Sequence, residues 1–128
     1  QSRRQRQMCI RDSLWGDRMW MNRFAGTDRP TETIATSPAM VAEWEALNAA
    51  RAEFDKVIED WAATVDLDWL GRELTWFSGA VSREITKPAP FLVMHFFNHQ
   101  THHRGQVHAM LTAAGARPGD TDLFLIDG

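Results

Sequence analysis

At 128 residues the chain has the length of one domain, and 44% hydrophobic with 24% charged residues is the composition of a protein that can bury a core. No apolar run approaches the roughly 18–20 residues of a membrane span, and the first residues lack the apolar core of a secretory signal. A formal net charge of −3 gives no broad electrostatic case for nucleic acid, and a lone cysteine, Cys9, excludes an internal disulfide framework or a cysteine zinc cluster, so the expected setting is cytoplasmic.

Residues 1–13, QSRRQRQMCIRDS, differ from the rest: Arg3, Arg4, Arg6 and Arg11 stand against one acid, Asp12, with no helical stripe and no strand alternation. Met8 to Ser13 reads as one frame of a transposon-type sequencing-library adapter. Residues 1–13 are therefore expected to be a basic disordered arm or a non-native segment, and 14–128 a single domain. On that expectation the native N-terminus, with its contribution to the bundle, is missing.

Leu14 to Ala25 reads as the end of a helix, with Trp15, Met19, Met21 and Phe24 as large apolar groups and Gly26 as its stop. The Gly-, Thr- and Pro-rich stretch that follows is a loop. Ser37 as N-cap and Pro38 at the first helical position predict a helix from Pro38 to about Val65. Its stripe comprises Val41, Trp44, Leu47, Phe54, Val57, Ile58 and Trp61. Within 66–90 the β-formers Thr75, Trp76, Phe77, Val81, Ile85 and Thr86 flank Ser78-Gly79, which predicts two short strands or an extended crossover. A last long helix runs from about Ala89 to Ala114, with Gly115 after it and Pro118 blocking continuation. Leu123 to Ile126 are available to pack back onto the bundle. Most of the six Trp are expected in the core.

All five histidines lie between His95 and His108. His95, His99 and His103 are spaced i, i+4, i+8, one turn apart on a slowly rotating face. His99 and His103 are the better pair, because two imidazoles four apart can reach one divalent ion, and imidazole suits zinc, nickel, iron or copper. His102 points about 100° away from His103, and His108 is off register. Such a pair also occurs among histidines that only pack. The flanking Phe91, Leu92, Phe96, Phe97, Val107, Met110 and Leu111 predict a largely buried helix, in which unpaired imidazoles are costly. Gly105, unfavourable in mid-helix, suggests a close helix approach. Arg104 is read as a salt-bridge partner for an acid such as Asp17, with an anion-facing role as the alternative.

NHQTHHRGQVHAMLTAAG at 98–115, with DRMWMNRFAG at 17–26, resembles the DinB family, the damage-inducible bacterial proteins with a DinB/YfiT-like fold. The resemblance implies a mainly α protein, an up-down-down-up four-helix bundle with a long crossover, here lacking part of its N-terminal helix and carrying a short β-like segment before the last long helix. It also implies one metal, zinc or nickel, on three histidines. Two of these would be His99 and His103. The first would lie about five residues before the Asp of D-x2-W, near Asp12 or Ser13, where this sequence has no histidine; Asp12 and His95 are poor substitutes.

Relatives in the resembled family include transferases and isomerases that use a low-molecular-weight thiol, which a metal would hold as thiolate. The first functional reading is accordingly a metal-dependent, thiol-dependent transferase-like enzyme with a small-molecule substrate, where Arg104 or Arg18 would meet a substrate carboxylate. The alternative is a non-catalytic metal-binding bundle with a stress-response or interaction role; a metal-free bundle is the third. The chain as written, lacking a ligand, is expected to bind metal weakly and turn over little. A homodimer is the expected assembly; no nucleic acid or membrane partner is expected.

Overall fold

The computed structural model describes residues 2–125; Gln1 and residues 126–128, including Ile126, lie outside them. The architecture is mainly helical. Helix α1 spans Ser2–Ala25, α2 Trp44–Ala62, the single-turn α3 Leu67–Leu70 and α4 Ala89–Ala113; strands β1 (Glu73–Ser78) and β2 (Arg83–Pro88) precede α4, and short 3-10 turns sit at Ser37–Ala39 and Leu123–Leu125. Among the helix pairs α1 packs most extensively on α4, and α2 also packs on α1, the three meeting in a shared core.

Helix α1 buries Leu14, Asp17, Met21 and Phe24, spaced three and four apart, with Ile10 continuing the same stripe toward the N-terminus. Met21 and Phe24 join Ile58, Trp61, Leu92 and Phe96 in the main core; Leu14, Met40 and Leu47 form a second cluster. Phe24 stacks on Trp61 with ring centroids 5.1 Å apart, an arrangement favoured beyond the area it buries. Gly26 ends the helix with φ +69°, its N–H bonded to the Asn22 carbonyl, the left-handed cap that glycine adopts at no steric cost.

Residues 2–13 are not a disordered arm here. They are the first half of α1, held at their end by a contact distant in sequence. Arg11 is 7% exposed, and its guanidinium donates to the carbonyls of Met40 (2.9 Å), Val41 (3.3 Å) and Ala42 (2.8 Å). That contact also explains why α2 starts late. Ser37 and Pro38 open only a 3-10 turn. The chain is then extended at Met40 and enters φ +46° at Val41, presenting its carbonyls to Arg11 instead of to a helical ladder. Helix α2 begins at Trp44 and ends at Ala62, short of Val65 at one end and Pro38 at the other.

The two strands pair antiparallel from Glu73↔Pro88 to Ser78↔Arg83, with Ser78 and Gly79 at the turn. Thr75 and Thr86 share a hydroxyl hydrogen bond of 2.7 Å across the non-core face. The other face brings Leu74 and Trp76 onto the main core, and the Ala89 N–H donates to the Arg72 carbonyl, which ties the base of the hairpin to the start of α4.

Helix α4 is less buried than its composition suggests. Ala89, Leu92, Phe96 and Gln100 are buried in one narrow stripe, while Phe91, Met94 and Phe97 are exposed. Its apolar residues surround the helix, and only one face meets α1. Gly105 has nothing within 4 Å of where a Cβ would stand, so no close helix approach uses it. Leu123, Phe124 and Leu125 do not pack back: they are exposed.

Candidate metal centre

The α1–α4 contact places the histidines. Gly16 of α1 abuts the His99 ring so closely that a Cβ built on it would lie 2.7 Å from Cε1. One turn further along α4 is His103, whose ring centroid is 4.6 Å from that of His99 with the planes at 74°. The pair chosen from i, i+4 spacing is therefore brought together on the face of α4 that meets α1.

The two rings have different surroundings. His99 Nδ1 is buried without a hydrogen-bond partner, the kind of orphaned polar atom that folded proteins rarely leave. His103 Nδ1 lies 3.0 Å from Gln106 Oε1. With that oxygen accepting, Nδ1 carries the hydrogen and Nε2 keeps its lone pair. The Cys9 thiol donates to the same Oε1 at 3.4 Å. Burial raises the thiol's pKa, and the Asp12 charge adds to the effect, which disfavours the thiolate.

Burial lowers the pKa of His99 first, with the neighbouring His103, His95 and His102 adding to it and Asp12 opposing. His103 is lowered by burial, partly offset by its bond to Gln106 and by Asp12. Both imidazoles are therefore held toward the neutral form that a metal requires. Asp12 is one turn before Gly16, and its charge reaches both rings, but its Oδ1 accepts from Ser37 Oγ at 3.4 Å.

The other histidines do not complete a centre. The His95 ring packs edge-on to Trp20 at 5.1 Å, and lies 6.3 Å from that of His99. His102 is exposed, with its ring 5.2 Å from that of His103. The His108 carbonyl accepts from the Thr112 hydroxyl. Among the described residues no group of three or more His, Cys, Asp or Glu is arranged to hold a metal ion. Of the implied three-histidine set, His99 and His103 stand side by side, and no third donor is grouped with them among the described residues.

Behind the pair is a polar cluster that spacing arguments missed. Asp17, 1% exposed, accepts from Arg51 Nη1 of α2 at 2.7 Å and from Gln100 Nε2 of α4 at 3.0 Å. Arg104 does not pair with Asp17; it donates to Gln100 Oε1 and Thr101 Oγ1, each at 3.3 Å. Asp17 thus joins three helices through one carboxylate. The available signal was its place within the apolar spacing of Leu14, Met21 and Phe24, where an acid demands a buried partner. A hollow of about 380 Å³ bordered by Phe91, Met94, His95 and Asn98 lies beside the histidine ladder.

No helix among the described residues is long and apolar enough to cross a membrane. Neither the curated proteins nor the solved structures include a significant match to this chain. The family model for the DinB family matches residues 8–127, so the chain belongs to the DinB family.

Proposed function

We propose that this DinB-family chain is a divalent-transition-metal-binding helical domain whose ion, zinc or nickel, is held by His99 and His103. The observation that carries the reading is the pair itself: two imidazoles one turn apart with ring centroids 4.6 Å apart, one with a buried nitrogen that has no partner. A thiol-dependent, transferase-like reaction on a small molecule is the activity the family resemblance attaches to such an ion. With one donor place unfilled, this chain binds the ion weakly and turns over little. The setting that fits this reading is cytoplasmic, and a homodimer is its assembly.

Cobalt(II) titration followed by visible absorbance tests the reading. Saturable binding to the wild-type chain is expected, weakened at least about tenfold in both His99→Ala and His103→Ala, since each removes one of two protein donors. Equal binding by the wild type and the double variant overturns it. A non-catalytic ion remains the second reading, supported by the missing third donor; an exchangeable water on the bound cobalt, measured by proton relaxation, would count against it.

A further inference from the structure

Helix α1 carries a second stripe away from the histidines. Trp15, Arg18 and Asn22 are spaced three and four apart and share a face, whereas Gly16, which meets His99, is turned about 200° from Arg18. The chain leaving α1 folds back over this stripe and is pinned at two points. Asn22 Nδ2 donates to the Thr27 carbonyl at 2.5 Å, and Trp15 Nε1 donates to the Glu32 carbonyl at 2.8 Å. Between the pins, against α2, is a hollow of about 430 Å³, within the range of small-molecule sites.

Its lining has three features of a binding site. Thr27 Oγ1 is buried and has no hydrogen-bond partner. Arg18 is half-buried, with its guanidinium 5.7 Å from the centre of the Phe54 ring, a cation–π contact that orients the group. Neither Arg18 nor Arg29 forms an ion pair with another described residue. Asp28 and Glu32 also border the hollow, while Phe54 and Val57 give it an apolar wall. Two guanidiniums and two carboxylates leave no net charge, so a simple anion attracted by the arginines is opposed by the acids.

We propose that this hollow binds a small zwitterion of the α-amino-acid class. The ligand carboxylate meets Arg18 and accepts from the Thr27 hydroxyl. Its ammonium faces Asp28 and Glu32, and its side chain rests on Phe54 and Val57. Guanidinium–carboxylate pairs of this kind are strong and directional. Neither His99 nor His103 borders this hollow, so its ligand is independent of the metal reading.

The test is titration of the ¹⁵N-labelled full chain with L-leucine, followed by amide and arginine Nε–H shifts. Saturable shifts are expected at Thr27 and Arg18. Leucinamide and N-acetylleucine, each lacking one charge, are expected to bind at least about tenfold more weakly. Thr27→Val replaces an unpartnered hydroxyl by a methyl of similar shape, so the spectrum should remain that of the folded chain while affinity falls about tenfold; Arg18→Gln should weaken binding at least as much. No shift at Thr27 or Arg18 up to the solubility of leucine overturns the proposal. So does leucinamide or N-acetylleucine binding as tightly as leucine, or unchanged affinity in both variants.

Discussion

The ring of His99 rests against the bare backbone of Gly16, where an added methyl would meet Cε1 at 2.7 Å. Glycine in a helix interior costs about 1 kcal/mol relative to alanine, and here the cost secures a close approach of α1 to α4. At 2.7 Å the ring must move to admit even one carbon, and the His103 ring is only 4.6 Å from it.

Gly16→Ala is therefore expected to give none of the stabilisation that helix propensity alone would supply, because overpacking costs about 1–3 kcal/mol against about 1 kcal/mol gained. The His99 ring resonances should shift. Gly105→Ala is the control: open space surrounds that site, so a gain of about 1 kcal/mol is expected. Urea unfolding of the two variants and a proton spectrum of the histidine rings decide the matter. Equal stabilisation at both glycines would mean that the close approach does not constrain His99.

The resembled pattern puts its first histidine near Asp12 or Ser13, and the Asp12 charge is felt by both His99 and His103. Asp12→His is expected to supply a third imidazole from α1 and to raise cobalt affinity at least about tenfold, with a spectrum characteristic of a more complete nitrogen donor set. Unchanged affinity would show that the α1 backbone does not direct this position at the pair.

The histidine pair makes acid stability a further test. Burial places the folded-state pKa of both His99 and His103 below the ordinary value, so the unfolded chain takes up protons first as pH falls. Stability is expected to be retained above about pH 6.5 and to decline as pH drops from there through the lowered folded-state values. His99→Gln/His103→Gln should flatten that decline. Urea midpoints at about pH 8 and about pH 5 measure it; an unchanged slope in the double variant would assign the loss to other groups.

Short-range chemistry made several features legible in the sequence. The turn at Ser78-Gly79, the stop at Gly26 and the end of α4 at Gly115, with φ +83°, each follow from residues within a few positions. So does the pairing of His99 with His103, which one helix fixes by its own period. What was not legible depends on distant partners. Ser37-Pro38 carries the local signature of a helix start, yet Arg11, far away in the chain, takes the carbonyls of Met40 to Ala42 and delays α2. Periodicity could not say which side of α4 would be covered, since Phe91, Met94 and Phe97 are as apolar as the buried Leu92 and Phe96. The polar contacts behind the pair were hidden for the same reason: Arg51 and Gln100 reach Asp17 only after three helices have assembled.

That assembly gives the last prediction. Asp17 is buried against Arg51 at 2.7 Å, with Oδ1 left unpartnered, and burial raises its pKa despite the opposing pull of Arg51 and the Gln100 bond. Removing one member of a buried ion pair costs about 3–5 kcal/mol, so Asp17→Ala and Arg51→Met should each lower stability on that order at neutral pH. The double variant should lose less than the sum of the two, because it strands no charge. The pH dependence separates the two single variants. A carboxyl with a raised folded-state pKa contributes stability that is full below its unfolded value, about 3.9, and is lost as pH rises through the folded value. Without Arg51 that rise becomes larger, so Arg51→Met should recover part of its loss on acidification, relative to a wild-type chain measured at the same pH, and Asp17→Ala should not. Urea unfolding across that range reads the difference; parallel pH profiles for the two variants would place Asp17 outside the buried pair.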